Sequence, residues 1–370
     1  MKIKAFLLVT AVFLLVLVLT LAPGCSSELP PPDNGHDPGN GQGPDPEPEP
    51  PEPDEFDFAR YQPNELGEIP VFMYHHIASP ESIWTRTPDN FRADLQRFYD
   101  AGFRLVSLTD VFNNNIDIPA GTSPLVLTFD DGTPGHFRWL KVDGELVVDP
   151  DCAVGIIMEF AKENPDMGTA ATFYVNQWLL RQDDSWYTEE HHLLKLEKLV
   201  EWGMDIGNHA WTHAHLTNDI QSAEQLQKEL GALQHWLGQQ LPGYRINSLA
   251  LPYGSKPVEQ WMEYLYHGSY QGVEYGHDVV LLVGSVPAKP PNHVGWSPRA
   301  MPRIRASNTT EQAHESPYLD QALKRLESTR YISDGDPDII TIPEHMREFL
   351  NPDSLGEKTL RVYDPEDYKD

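Results

Sequence analysis

Short apolar runs alternate with amphipathic stretches along most of the chain, and this alternation predicts the secondary structure. Apolar residues recur at helical spacing over 152–164, 191–203 and 222–241, and after Thr87 or Asp89, either of which can cap a helix that ends at Gly102. The remaining runs have the length and composition of buried β-strands: IPVFMYHHI (69–77), RLVSL (104–108), SPLVLTF (123–129), TAATFYV (169–175), MDIGNH (204–209), INSLALPYG (246–254) and DVVLLVGS (278–285). Strands alternating with helices predict an α/β domain with a parallel sheet, open or closed into a barrel.

One segment, 133–168, interrupts this alternation directly after the strand at 123–129. Within it, HFRWLKVDGELVVDP (136–150) alternates apolar and polar residues around Asp143-Gly144, which is a strong signal for a β-hairpin. Trp139 and this hairpin either form a wall of a substrate groove or only cover the barrel. Cys152 opens the following helix, where we expect a small, buried, apolar side chain.

The N-terminus has the pattern of an export signal. Lys2 and Lys4 precede an apolar run over 5–22, and Gly24 stands directly before Cys25. The pattern predicts a signal peptide over 1–24 and a lipid on Cys25, which would hold the protein on the outer side of the cell membrane. The alternative is an uncleaved membrane anchor, because 18 apolar residues can just span a bilayer.

Composition changes after Cys25. Residues 25–66 are rich in Pro, Gly and acidic residues and show no apolar face, so we expect a disordered linker. The whole chain has a formal net charge of -29, which argues against a nucleic-acid partner. We expect a folded domain over 67–330, an acidic tail over 331–370 and a monomer.

Candidate chemistry lies where the predicted strands end, which is where sites form in parallel α/β folds. Asp130 and Asp131 follow one strand, and Gly132 allows a turn that can bring both carboxylates into one pocket. His209 and His213 follow another strand, and their spacing would put both imidazoles on one face of a helical turn. One Asp and two His make three ligands and leave positions open for water and substrate, as in catalytic zinc sites.

These residues resemble the polysaccharide deacetylases, the carbohydrate esterases with a NodB homology domain. The resemblance rests on TFDDG (128–132) followed by HAWTH (209–213), with LPYG (251–254) similar to a third motif. FMYHHI (72–77) and MPRIRA (301–306) resemble the subgroup that opens with a Tyr-His strand. The resemblance spans about Glu68 to Ala306 and implies a distorted (β/α) barrel.

The resemblance also implies a role for each residue in removing acetyl groups, mainly N-acetyl, from a glycan. Asp131, His209 and His213 would bind a divalent metal, with zinc the first choice and cobalt, nickel, manganese or iron also suited to the ligand set. Asp130 would be the general base, His75 the general acid, and the backbone N–H near Tyr253 would stabilise the oxyanion. The substrate would be an acetylated polysaccharide such as peptidoglycan, poly-N-acetylglucosamine or a chitin-like oligomer.

The chain departs from the family pattern at two positions. Ala250 and Leu251 precede Pro252 where the family has an Arg that orients the base, and we expect Arg303 to take that role or else to form only a structural salt bridge. Ala210 replaces the Thr that usually follows the first His. Trp211 lies between the two histidines and could stack on a sugar, although a core position is the stronger expectation for it. Further contacts to the sugar are assigned to four residues: Pro252, Tyr253, Trp211 and Asn176.

Two other functions compete with this interpretation. A catalytically inactive, glycan-binding lipoprotein on the same fold would explain the missing Arg, but it needs neither a metal nor a base. A non-haem iron oxygenase also uses two His and one carboxylate. In those sites the carboxylate closely follows the first His, whereas Asp131 lies far before both histidines.

Overall fold

The structure is a computed structural model that describes residues 56–284, 286–307 and 319–368. The predicted signal peptide, the lipid site at Cys25 and most of the predicted linker lie outside these residues. By compactness the chain divides into Met1–Glu55 and Phe56–Asp370, so the second unit contains everything described below. In the described part of the chain, no helix has the length and apolar character needed to cross a bilayer.

The described elements follow the alternation that the sequence predicts. The helices are α1 Phe58–Tyr61, α2 Pro88–Asp100, α3 Leu108–Phe112, α4 Ala153–Glu163, α5 Glu189–Glu201, α6 Ala223–Gln240 and α7 Leu319–Thr329. The strands are β1 Val71–Tyr74, β2 His76–Ile77, β3 Thr85–Arg86, β4 Phe103–Leu105, β5 Ser123–Phe129, β6 Trp139–Val142, β7 Glu145–Val148, β8 Thr172–Val175, β9 Asp205–Asn208, β10 Ser248–Ala250, β11 His267–Tyr270, β12 Val273–Gly276, β13 Val279–Leu281, β14 Ile304–Arg305, β15 Ile339–Pro343 and β16 Thr359–Tyr363.

Eight of these strands form one parallel sheet, as the sequence predicts. Seven lie in the order β13-β10-β9-β8-β5-β1-β14, and β4 pairs with the first half of β5. A parallel bridge between Leu281 and Met301 links the end of β13 to the segment that enters β14. The sheet therefore curls back toward its own edge, which confirms the predicted α/β fold of distorted (β/α) barrel type.

The curled sheet has a packed outer face and a packed inner face. On the outer face, Phe72 of β1 and Phe129 of β5 belong to a core that also contains Phe91, Leu95 and Phe98 of α2. Val71, Val126, Tyr174, Ala250 and Leu281 form a separate inner core. Because both faces are covered, all seven residues of β5 are buried.

Two predictions about local structure have distinct outcomes. The hairpin is confirmed, since β6 and β7 pair antiparallel around Asp143 and Gly144, which both have positive φ. The prediction of a helical turn between His209 and His213 is wrong. Ala210 and His213 have φ values of 53° and 58°, which no α-helix accommodates, and the segment is an irregular turn.

Candidate active site

A cavity of about 420 Å³ opens where the parallel strands end. Its lining comes from the segments that follow β1, β5, β9, β10 and β13. The predicted residues among them are His75, Asp130, Asp131, His209, His213 and Tyr253. The structure thus brings together residues that are up to 178 positions apart in the sequence.

Asp130 and Asp131 both reach this cavity because the backbone leaves strand geometry between them. The Asp130 N–H still donates to the Tyr74 carbonyl, at 2.9 Å, and so continues the pairing of β1 with β5. Asp131 and Gly132 then adopt φ values of 79° and 61°. A non-glycine residue in this region is strained, and such strain is concentrated at functional sites.

Asp130 forms a buried ion pair with Arg303. Two guanidinium nitrogens, Nη1 and Nη2, each donate to a different carboxylate oxygen at 2.7 Å. Arg303 also donates to Thr128 Oγ1 at 3.2 Å and to the Leu282 carbonyl at 3.0 Å. These contacts leave the Asp130 carboxylate with one orientation, and Arg303 makes them in a chain that has no Arg directly before Pro252.

Asp131, His209 and His213 form a cluster suited to a metal ion, with their ligand atoms within 4.8 Å of one another. Asp131 Oδ1 lies 3.4 Å from His209 Nε2 and 3.2 Å from His213 Nε2. His209 Nδ1 lies 2.8 Å from the Ala250 carbonyl, and His213 Nδ1 lies 3.1 Å from the Tyr253 hydroxyl. Partners on both Nδ1 atoms leave the Nε2 atoms for a metal, an arrangement common among histidine ligands.

Both carboxylates remain ionised despite their burial. Burial opposes ionisation of Asp130, but the charges of Arg303 and His209 outweigh it and lower the pKa of Asp130 to about 2. Burial likewise opposes ionisation of Asp131, and hydrogen bonds from His209 and His213 move its pKa far below the usual range. The site therefore presents negative charge to a cation.

His75 lies beside this pair of carboxylates. Burial lowers the pKa of its imidazole to about 4, although Asp130 and Asp131 act in the opposite direction. Its Nδ1 is buried and has no hydrogen-bond partner among the described residues. The neighbouring His76 is exposed and also lines the cavity.

Trp84 forms one wall of the cavity, and the sequence analysis missed it. Its ring centroid lies 4.6 Å from that of His75, and the Arg305 guanidinium lies 4.9 Å from the Trp84 ring. The side chain is 37% exposed, so an aromatic face is available to a ligand. Trp84 stands in an irregular loop between β2 and β3, where no periodic pattern could have indicated its position.

Of the four residues assigned to sugar binding, one lines the cavity. Tyr253 lines the cavity and is 66% exposed, whereas Pro252, Trp211 and Asn176 are not among the lining residues. Trp211 packs against the outer core, and Asn176 is buried with its side-chain oxygen accepting from the Trp178 N–H.

The remaining candidates occupy supporting positions. Trp139 is 5% exposed within the core, so its ring does not line the cavity, and Cys152 is a buried free thiol, as expected. Another histidine, His215, stacks on Tyr253 with ring centroids 5.7 Å apart and is not part of the cluster of Asp131, His209 and His213.

The family model for polysaccharide deacetylases matches residues 117–270. A search of curated proteins finds no match. Among solved structures, the chain is similar to the Streptococcus pyogenes deacetylase PplD in complex with acetate, with 19% identity, a TM-score of 0.49, and coverage of 71% of this chain and 97% of that one.

Two further solved structures show a comparable likeness. A putative polysaccharide deacetylase from Bacillus anthracis has 17% identity and a TM-score of 0.46, covering 71% of this chain and 68% of that chain. IcaB from Ammonifex degensii has 16% identity and a TM-score of 0.46, covering 66% and 94%. Over residues 117–270, which contain Asp130, Asp131, His209 and His213, the chain is thus similar to the polysaccharide deacetylase family.

Proposed function

We propose that this protein is a metal-dependent polysaccharide deacetylase that hydrolyses acetyl groups, mainly N-acetyl, on an extracellular or cell-wall glycan. The proposal rests on one observation: two sets of residues, a candidate metal site and a buried ion pair, meet at one cavity. Asp131, His209 and His213 form the candidate metal site, and Asp130 is held beside it by Arg303. The match to the family model over 117–270, a range that contains Asp130 and the three candidate ligands, supports the assignment.

The three proposed ligands fit a divalent transition metal. One carboxylate oxygen and two imidazole Nε2 atoms lie within 4.8 Å of one another, and all three residues line the cavity, from which water and substrate could reach a bound ion. Zinc is the first choice for this donor set, with cobalt, nickel, manganese and iron as alternatives. Bound there, the metal would acidify a water molecule and polarise the acetyl carbonyl.

The remaining residues supply proton transfer and orientation. Asp130 accepts a proton from the water that attacks the acetyl carbon, and Arg303 fixes the carboxylate in place. The backbone N–H of Tyr253 donates to the carbonyl oxygen as it gains negative charge. The proton that Asp130 takes from the water passes to His75, which is neutral at rest, and His75 gives it to the amine nitrogen as the C–N bond breaks, so the products are acetate and a free amine. Trp84 provides an apolar face for the sugar ring.

We also propose that the protein is exported and held at the outer side of the membrane by a lipid on Cys25. The N-terminal sequence supports this location, and an acetylated glycan outside the cell is the substrate that it would meet.

The proposal is tested by measuring bound metal and acetate release from N-acetylglucosamine oligomers and peptidoglycan. Wild type should bind about one metal and release acetate. Asp130→Asn should keep the metal and lose turnover by at least 10²-fold, the lower end of what general base catalysis contributes. Asp205→Asn, at the opposite end of β9, is the matched control and should keep both.

Two other outcomes would contradict different parts of the proposal. If metal binds but no acetylated glycan is hydrolysed, the inactive glycan-binding alternative gains support. If no metal binds even when it is supplied, the assignment of Asp131, His209 and His213 fails and the proposed reaction fails with it.

A further inference from the structure

A second cavity, of about 470 Å³, lies beside the candidate active site. Its walls come from β2 and from the inserted segment over 133–168, which contributes Thr133, Arg138, Asp149 and Asp151. His76 lines both this cavity and the first. The volume falls within the range of about 300–1,000 Å³ that is typical of small-molecule sites.

Close backbone packing fixes the position of the inserted segment. Gly135 lies against β2, and a Cβ at this position would overlap the Ile77 carbonyl oxygen. Gly155 at the start of α4 lies against the Asp149 carbonyl in the same way. The wall of the second cavity is therefore preorganised rather than formed by a loose loop.

Two polar groups in this wall have unused hydrogen-bonding capacity. Thr133 is 9% exposed, and its Oγ1 atom has no partner among the described residues; the same holds for the buried Nε of Arg138. Arg138 Nη2 reaches Asp184 only at 3.3–3.4 Å. Because a buried polar atom left unpaired costs about 1–3 kcal/mol, such groups call for a ligand or ordered water.

Acceptors complete the same wall. Asp149 and Asp151 both line the cavity, and Asp151 is already paired with Arg92 at 2.7 Å. The wall thus contains hydrogen-bond donors as well as acceptors, and its positive and negative charges largely balance. Such a wall suits the adjacent hydroxyl groups of a neutral sugar ring better than it suits an ion.

We propose that the second cavity binds a neighbouring sugar unit of the same polymer whose acetylated unit occupies the first cavity. This inference rests on the proposed deacetylase function and deepens it, because it assigns the inserted segment to the recognition of polymers over single sugars. Hydrogen bonds at a distance from the reacting bond can raise the rate when they orient the substrate for the chemical step.

Chain-length dependence tests the inference. Wild type should have a kcat/KM at least tenfold higher for the N-acetylglucosamine tetramer than for the monomer. Arg138→Met and Thr133→Val should each reduce this tetramer-to-monomer ratio severalfold. Arg181→Met is the matched control, since Arg181 is exposed to a similar extent and pairs with Glu189, and it should leave the ratio unchanged.

A binding measurement separates this inference from the proposed activity. The dissociation constant of the tetramer is measured by calorimetry on metal-free protein, where no hydrolysis occurs, and Arg138→Met should weaken it while Arg181→Met does not. If wild type binds monomer and tetramer equally, or if Arg138→Met and Thr133→Val leave tetramer binding unchanged, the second cavity is not a sugar subsite. If the tetramer binds as expected but acetate is never released, the deacetylase proposal fails and the subsite stands.

Discussion

Arg303 is the largest side chain that is fully buried in the described residues, and its charge is balanced by Asp130. Removing one partner of a buried ion pair leaves the other charge without compensation. We therefore expect Arg303→Met to lower the free energy of unfolding of the metal-free protein by about 3–5 kcal/mol. Urea unfolding measures this change.

The double variant Arg303→Met with Asp130→Asn is the control for this pair. It removes both charges, so it should be more stable than Arg303→Met alone. A loss below about 1 kcal/mol in the single variant, the size measured for exposed pairs, would show that water compensates Asp130 and that the pair is not buried as described.

Tyr253 holds one of the proposed metal ligands through its hydroxyl. The residue has a φ of 57°, and its Oη lies 3.1 Å from His213 Nδ1. Partners of this kind orient a histidine ligand, and their removal typically costs 10–100-fold in metal affinity or activity. We expect Tyr253→Phe to weaken metal binding about tenfold, as measured by competition with a chelator.

Tyr275→Phe is the matched control, because the Tyr275 hydroxyl donates to the Tyr264 carbonyl outside the site. Its metal affinity should equal that of wild type. Equal affinity in Tyr253→Phe as well would mean that the hydroxyl does not orient His213, and Tyr253 would then be left with its exposed ring and its backbone N–H.

Among single residues, the sequence predicted the cavity residues that have distinctive chemistry and follow a strand, and it did not predict a residue that reaches the cavity from an irregular loop. Asp131, His209 and His213 stand at predicted strand ends, so their meeting follows from the parallel sheet. Trp84 reaches the same cavity from a loop whose path depends on contacts with α2, which local patterns do not encode. Pro252, Trp211 and Asn176 were assigned from proximity in sequence, and none of the three is among the residues that line the cavity.

The loop that carries Trp84 is anchored to the start of α2 by a charged network. Arg86 donates to both carboxylate oxygens of Asp94, at 2.8 and 2.6 Å, and to Glu81 at 2.7 Å. Tyr74 of β1 donates to the same Asp94 at 3.1 Å. The network ties the loop to both the sheet and the helix and so fixes the aromatic wall.

Breaking this anchor should loosen the loop and spare the metal site. In Arg86→Met we expect faster amide hydrogen exchange over residues 78–87, a higher KM for the glycan and unchanged metal content. Arg97→Met, which removes the exposed pair of α2 with Asp320, is the control and should change none of these. Unchanged exchange in Arg86→Met would show that packing of the loop, not the ionic network, holds Trp84.

Prediction of elements succeeded where the pattern was long and failed where it was short. The seven-residue β5 and the helices α2, α4, α5 and α6 have clear periodicity, and Thr87 is the residue that caps α2. The four-residue strands β11 and β12 alternate weakly and were missed. The parallel pair of β15 and β16 lies within the segment expected to be an acidic tail, where Pro and acidic residues conceal two short apolar strands.

Closure of the sheet is a property of the whole molecule that no local pattern could predict. It depends on the bridge between Leu281 and Met301 and on β14, which has two residues and pairs with β1 more than 200 residues earlier. The same closure carries Arg303 to Asp130. The sequence therefore predicted a parallel sheet, but whether it was open or closed depended on pairings between distant segments.

The two ends of the folded unit are joined through Glu65, which is 2% exposed. Its carboxyl accepts from the Tyr331 hydroxyl at 2.9 Å and from the Thr341 N–H at 2.7 Å. Burial, and then the nearby charge of Asp334, raise the pKa of Glu65 from 4.5 to about 8. The folded state therefore binds the proton of Glu65 more tightly than the unfolded chain does.

Because of this raised pKa, Glu65 contributes less to the free energy of unfolding as the pH rises. Protonation of Glu65 favours the folded state fully below pH 4.5, and the benefit is lost as the pH rises toward 8. Relative to wild type, Glu65→Gln should therefore gain stability steadily between pH 5 and pH 8, whatever constant offset the substitution introduces. Urea unfolding of both proteins at several pH values measures the difference, and this comparison cancels every other group that titrates.

Glu68→Gln provides a control of opposite sign at a similarly buried position. Burial disfavours its charge, but hydrogen bonds from Arg325, Thr329 and Lys289 outweigh burial and lower the pKa of Glu68. Its ionised form stabilises the fold above its usual pKa of 4.5, and that contribution is lost as the pH falls. The difference from wild type should therefore be constant between pH 6 and pH 8. A constant difference for Glu65→Gln over the same range would mean that Glu65 is ionised in the folded protein, with the Tyr331 and Thr341 donors sufficient to stabilise its charge.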